Sequence, residues 1–255
     1  MKAFIRIIAL ALTLLMLVPA IVACGQTTDE KEVLVMGTNA AFPPYEFLDE
    51  NNKIAGIDAE IAAAIAEKLG MTLEIKDMAF DSLITAVSSG SVDIVLAGMT
   101  VTEERKESVN FTDTYATGVQ VVIVTEDSDI TSIDDLEGKK IGVQTGTTGD
   151  IYCSSAPEDG GYGEDAVARY DNGALAVAAL KNGQVDCVVI DNEPAKAFVE
   201  ANEGLKILET EFAVEDYAAA IAKENTELLN KVNAALAELK AEGKIDEIIA
   251  KYIKA

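Results

Sequence analysis

The chain has 255 residues, 49% of them apolar, with 20 basic residues against 44 acidic ones and no histidine. A net charge of −24 repels nucleic acid and anionic lipid headgroups, and no basic cluster offsets it. The lack of histidine excludes Ser-His-Asp and Cys-His catalysis and histidine-bound metals. The carboxylates show no calcium-loop spacing, so no metal site and no cofactor is expected.

Residues 1–23 read as an export signal: Lys2 and Arg6 precede an uncharged, largely apolar run from Ile7 to Val18, then Pro19 and small residues. That run falls short of the roughly 20 residues a bilayer span needs. It leads into IVACG, which resembles a bacterial lipoprotein signal. The resemblance implies cleavage after Ala23 and a diacylglycerol on Cys24, two acyl chains that give lasting attachment. Without residues 1–23, which hold two of the 20 basic and none of the 44 acidic residues, the charge is −26. Residues 24–32 are then a polar, lipid-anchored tether, and the fold begins near Val33. Cys153 and Cys187 remain, either as a disulfide pair or as separate small buried hydrophobes, and their spacing does not decide.

Val33 to Gly37 predicts a strand that runs out at Thr38, Asn39 and Phe42, where Pro43 and Pro44 impose an extended, unpaired loop. Asp49 to Lys53 is a turn. Ile57, Ile61, Ile65 and Leu69 predict an amphipathic helix capped by Asp58 and stopped by Gly70. A strand at Leu73 to Ile75, a helix from Ser82 to Ser88 capped by Asp81, and a strand from Ile94 to Ala97 follow. This alternation predicts a parallel sheet with helices on its faces. The last strand breaks at Gly98 and hands over to a helix near Thr102, with Arg105 in its first turn. Unpaired N–H groups, a glycine that admits a ligand and a guanidinium fork predict a corner that holds a carboxylate. A solvated surface arginine is the plain alternative.

The β-branched run Val119 to Val124 has no helix before it and marks a crossing into a second lobe. A strand from Lys140 to Gln144 and the loop Thr145 to Gly149 lead to a helix from about Asp150; without Gly-Lys-Ser/Thr, the loop does not support nucleotide binding. Ala156 to Gly163 reads as a flexible insertion. Ala179 to Val188 then repeats Ala86 to Val95 without gaps at an offset of 93: apolar helix end, glycine stop, Val-Asp, apolar strand. That register sets Asp191 opposite Gly98, and ligands of open α/β sheets sit at such strand ends. Pro194 opens the next helix, and a short strand after Tyr217 precedes helices 227–241 and 245–253.

GTNAAFPPYEF, GIDAEIAAAIAEKLG, FDSLI, AGMTVTEER, FTDTY, LEGKKIGVQTGTT, VDCVVID and VNAALAELKAEGKIDEIIAKY together resemble, in order, the extracellular solute-binding proteins of polar amino-acid ABC transporters. The resemblance implies a two-lobed α/β periplasmic-binding-protein (Venus flytrap) fold, type II, with two crossover strands. Lobe 1 is then 33–117 with 216–255, and lobe 2 is 118–215. By the same resemblance Arg105 clamps the ligand α-carboxylate with the backbone of Gly98 and the backbone and hydroxyl of Thr100, beside Ala97. Thr148, in the loop with Gly146, reaches that carboxylate from the other lobe, and Asp191 takes the α-ammonium. Phe42 and Phe80 flank the ligand side chain, and Gln144 reaches its distal end. On the residues alone, Phe42 and Phe80 are equally ordinary core, and Asp191 could cap the helix at Pro194.

Relatives that bind cationic amino acids commonly have aspartate where Asn39 stands, so a polar uncharged ligand is expected, unless Asp58, Glu46 or Glu193 supplies a carboxylate. The implied partners are an amino acid, the transporter permease with its ATPase, and the membrane through Cys24; the protein is expected to be monomeric and extracytoplasmic. A cleft enzyme of the same fold, a prephenate-type dehydratase, is the alternative, although no glutamate is marked out as its acid or base. A sensor module would need a further segment beyond Ala255, which is not expected.

Overall fold

The computed structural model describes residues 32–209 and 211–254, within a compact unit that spans 31–255. The expected export signal, the lipid-bearing Cys24 and all but the last residue of the tether lie outside the described residues.

Two sheets organise the fold. In the first, β1 (Val33–Thr38) lies parallel between β5 (Thr72–Asp77) and β6 (Ile94–Val95). Antiparallel β14 (Ala220–Ala222) and β7 (Val109–Phe111) extend it to the order β5-β1-β6-β14-β7. Helix α1 (Ile57–Lys68) covers one face with Ile57, Ile61 and Ile65, all wholly buried against Leu34 and Met36. Helices α7 (Thr226–Ala241) and α8 (Lys244–Tyr252) pack on the same cluster through Val232, Leu236 and Ile248. On the other face, α2 (Leu83–Ser88) seats Leu83 and Val87 against Val95 and Ala220.

The second sheet sets parallel β10 (Val167–Tyr170), β9 (Ile141–Gln144) and β11 (Cys187–Asp191) beside β8 (Ala116–Thr125) and β12 (Leu205–Ile207). Helices α4 (Thr148–Ser154), α5 (Gly173–Lys181) and α6 (Asn192–Ala201) flank it. Strand β8 carries the chain from the first sheet to the second, and β13 (Ala213–Tyr217), paired antiparallel with it, carries the chain back. This is a two-lobed binding-protein fold with two crossovers. The lobe limits used here, 117/118 and 215/216, cut those crossover strands and remain our proposal.

Several local expectations change. The segment around Pro43 and Pro44 is not an unpaired loop: β2 (Ala41–Phe42), β3 (Glu46–Leu48) and β4 (Ile54–Ala55) form a small antiparallel sheet, with the prolines confined to its turn. Asp58 does not cap α1. Gly56 occupies the N-cap, and the Asp58 carboxylate is drawn into the interior by donors from outside the helix. Asp81 does not cap α2 either, because it lies within a 3-10 turn, Phe80–Ser82. The segment 156–163 is tied down rather than loose: Tyr162 packs on Phe212 and its hydroxyl donates to the Ile133 carbonyl at 3.2 Å. Cys153 and Cys187 are free thiols buried in one apolar cluster.

Candidate functional site

A cleft lies between the sheets, at the ends of β6, β9 and β11, lined by residues of both lobes. Its first wall is built on α3 (Glu103–Ser108), where the Thr102 side chain caps the helix by accepting the Arg105 N–H at 3.1 Å. The cap fixes the first turn, so Arg105 points into the protein instead of into water, and only 8% of it is exposed. Its guanidinium donates to the Thr100 carbonyl at 2.7 Å and, across the cleft, to the Gly146 carbonyl at 3.0 Å. It also lies 5.4 Å from the centre of the Phe80 ring. Two of five N–H donors are thus engaged, and the fork retains the others for an anion. Burial lowers its pKa, opposed by the charges of Glu215 and Asp191.

Gly98, Thr100 and Ala97 line the same wall. The Gly98 N–H, expected to face a ligand carboxylate, donates instead to Asp58 Oδ2 at 2.8 Å. Glycine is required here on two counts: φ is +52°, and a Cβ would stand 2.8 Å from Phe42 Cε1. The Thr100 hydroxyl is likewise occupied, donating to Glu215 Oε2 at 2.8 Å, so it has no proton left for a carboxylate. Its carbonyl is taken by Arg105, which leaves the backbone N–H to serve. Thr100 bridges Tyr217 at a position where the flanking Val101 and Met99 make the ladder bonds, which turns the Thr100 N–H away from β13.

The opposite wall belongs to the second lobe. Thr147 caps α4 through Asp150 N–H, and Thr148, the first helical residue, is buried beside Gln120. Asp191 closes β11. It occupies the N-cap position of α6 but makes no side-chain cap bond, which removes capping as its purpose. Its Oδ2 accepts from Gln120 Nε2 at 2.8 Å and its Oδ1 from the Tyr217 hydroxyl. The tyrosine reaches it because residue 118 is glycine; a Cβ there would meet the Tyr217 hydroxyl and stand 2.7 Å from Asp191 Oδ1. Burial and the Glu215 charge push the Asp191 pKa up to about 7, against the two hydrogen bonds that lower it.

The far end of the cleft is neutral and polar between aromatic faces. Gln144 Nε2 donates to Asn39 Oδ1 across the lobes at 2.9 Å, and Asn39 Nδ2 donates to the Met78 carbonyl at 2.9 Å. Phe42 and Phe80, both buried, line the space alongside Glu46. Glu193 is engaged elsewhere, paired with Lys196.

All eleven residues expected to bind the ligand therefore lie on or beside this cleft, Gly146 through its carbonyl. Sequence reasoning missed Gln120, Glu215 and Tyr217, which hold Asp191 and Thr100 in place. Gln120 alone left a trace, as the single amide inside the β-branched run of β8.

Residues 34–255 match the family described as "Bacterial extracellular solute-binding proteins, family 3". The chain is 36% identical to the arginine-binding extracellular protein ArtP of Bacillus subtilis, over 91% of this chain and 92% of that one. Among solved structures, an ancestral arginine-binding protein bound to arginine shares 44% identity, with a TM-score of 0.82, over 88% of this chain and 99% of that one. The same values hold for that ancestral protein bound to glutamine.

Proposed function

Because the chain belongs to the bacterial extracellular solute-binding proteins, family 3, we propose that it captures a free amino acid, arginine foremost, and delivers it to an ABC transporter permease with its ATPase. It is an extracytoplasmic binding protein and not an enzyme, which sets aside the dehydratase alternative. We further assign it a lipid anchor on Cys24 and a monomeric state.

The observation that supports this reading is one buried cation and one buried carboxyl group on opposite lobes of one cleft. A free amino acid carries the complementary pair, a carboxylate for Arg105 and the Thr100 N–H and an ammonium for Asp191. Both ligand charges leave water when the lobes close, so each must be hydrogen-bonded for binding to proceed. Closure is then hinge motion about β8 and β13.

Arginine replaces the polar uncharged ligand that Asn39 alone suggested. The relatives reported above favour it, and the far wall offers Gln144 Oε1, the Glu46 carboxyl and two aromatic faces to a planar cation. Glutamine is the second reading, favoured by the neutral Asn39–Gln144 pair.

A thermal-shift screen of residues 25–255 against the twenty amino acids tests this. Ligand at a hundred times its Kd stabilises the fold by about 2.7 kcal/mol, worth several degrees. We expect arginine to give the largest shift; a protein freed of carried-over ligand that responds to no amino acid would refute the reading.

A further inference from the structure

Glu46 is wholly buried at the start of β3, yet it lines the cleft. Among the described residues, neither of its oxygens has a hydrogen-bond partner, and neither has Asp58 Oδ1. Asp58 is wholly buried too and is brought beside Glu46 where the Asp58 N–H donates to the Tyr45 carbonyl at 2.9 Å. Two buried carboxyl groups so placed hold one proton between them, because neighbouring carboxylates repel and cannot both ionise cheaply. Asp58 is the partner that ionises first: burial pushes its pKa up to about 6, opposed by the hydrogen bonds from Gly98 and Tyr115. Its Oδ2 accepts the Gly98 N–H at 2.8 Å and the Tyr115 hydroxyl at 2.7 Å, which leaves Oδ1 for Glu46. Glu46 has no comparable donors and holds the proton; burial, then the Asp58 charge, push its pKa well up. Tyr45, Asp77 and Asp191 are the other titratable groups near the pair, and Arg105 is the buried cation on the same cleft.

We propose that the Glu46–Asp58 pair selects ligands by side-chain charge through a linked proton: it keeps the proton beside a neutral side chain and releases it to solvent when a cationic one enters the cleft. The inference rests on the amino-acid reading above. It reconciles a neutral Asn39 with a cationic ligand, since the negative charge is created only on demand. For arginine, the Glu46 O–H bond breaks, the proton passes to water, and the guanidinium meets the new carboxylate. For glutamine, the side-chain amide meets a neutral acid and no proton moves. Asp191 faces the α-ammonium of either ligand, so its own titration cancels in the comparison.

The test is calorimetry of residues 25–255 with arginine and with glutamine, from pH 5 to 8, in buffers of differing ionisation enthalpy. Arginine should release about one proton more than glutamine, and its advantage over glutamine should rise up to about tenfold per pH unit while the pair remains protonated. Glu46→Gln keeps a donor to Asp58 but cannot ionise, so the extra proton release and the pH-dependent preference should vanish. Equal proton release for the two ligands, or extra release that persists in Glu46→Gln, overturns the inference; if that variant does not fold, the native proton count decides alone. Failure to bind either amino acid overturns the amino-acid reading and this inference with it, an outcome distinct from binding with equal proton release.

Discussion

Asp93 and Asp186, one in each lobe, make the same pair of bonds. Asp93 Oδ2 accepts the Val35 N–H at 2.8 Å and Asp93 N–H donates to the Val35 carbonyl at 2.8 Å. Asp186 treats Lys140 in the same way, at 2.6 and 2.8 Å. Each aspartate thus ties the strand it precedes to that strand's parallel neighbour, β6 to β1 and β11 to β9. Beyond that shared step the halves part. The first strand end leads to Gly98, whose amide is held from behind by Asp58, and then to Arg105; the second ends in Asp191, held by Tyr217 and Gln120. One repeated scaffold therefore carries a donor-rich corner in one lobe and an acceptor in the other, which is the polarity an amino acid needs.

The comparison breaks most sharply at Arg105. Arg105→Ala should cost roughly 3–5 kcal/mol of ligand affinity, two to four decades in Kd. Titration calorimetry that finds less than a tenfold loss would remove Arg105 from the clamp.

Asp191→Asn should weaken binding by about a hundredfold, roughly 2.7 kcal/mol, as a charged hydrogen bond to the ammonium is lost. Its effect on stability runs the other way. The folded-state pKa of Asp191 lies near 7, above the ordinary 3.8, so between those values the native state holds a proton that the unfolded chain has lost. Its contribution to stability is therefore full at low pH and declines as pH rises through about 7. The asparagine variant without ligand should melt above the native protein at pH 8, with the difference fading towards pH 4. Equal melting points at pH 8 would show that the buried charge costs nothing.

Gly118→Ala tests the support of Asp191 rather than the residue itself. The added methyl displaces the Tyr217 hydroxyl, and we expect a loss of about 1–3 kcal/mol in stability together with weaker binding. A variant with native stability and native Kd would show that the tyrosine is not needed there. The smallest effects belong to the matched pair: Asp93→Ala and Asp186→Ala should each cost about 1 kcal/mol in denaturant unfolding and leave Kd within a few-fold. A large change in Kd from either would mean that the shared step is more than scaffold.

Much of the architecture was legible because it is written in short-range patterns. The four-residue spacing of Ile57, Ile61 and Ile65, the stop at Gly70 and the Val-Asp repeat act through neighbours on the chain, and the observed elements follow them to within a few residues. Capping was less legible: at Asp58 a local bond worth about 1 kcal/mol yields to distant donors that satisfy a buried carboxylate, and Asp81 lies inside a 3-10 turn. The insertion at 156–163 was misread for a similar reason, since its polar residues hide one tyrosine whose partners, Phe212 and Ile133, lie far along the chain.

Sequence alone determined the crossing into a second lobe and the repeated strand ends that set Asp191 opposite Gly98, because periodicity and residue chemistry are local properties of the chain. Tertiary structure decided which of their neighbours stay available. The Gly98 amide and the Thr100 hydroxyl are committed to Asp58 and Glu215, 40 and 115 residues away, while the Glu46 carboxyl is buried with no donor to meet it. Whether a buried polar group is satisfied depends on every donor within reach in space, and such contacts between distant residues leave no periodic mark in the chain.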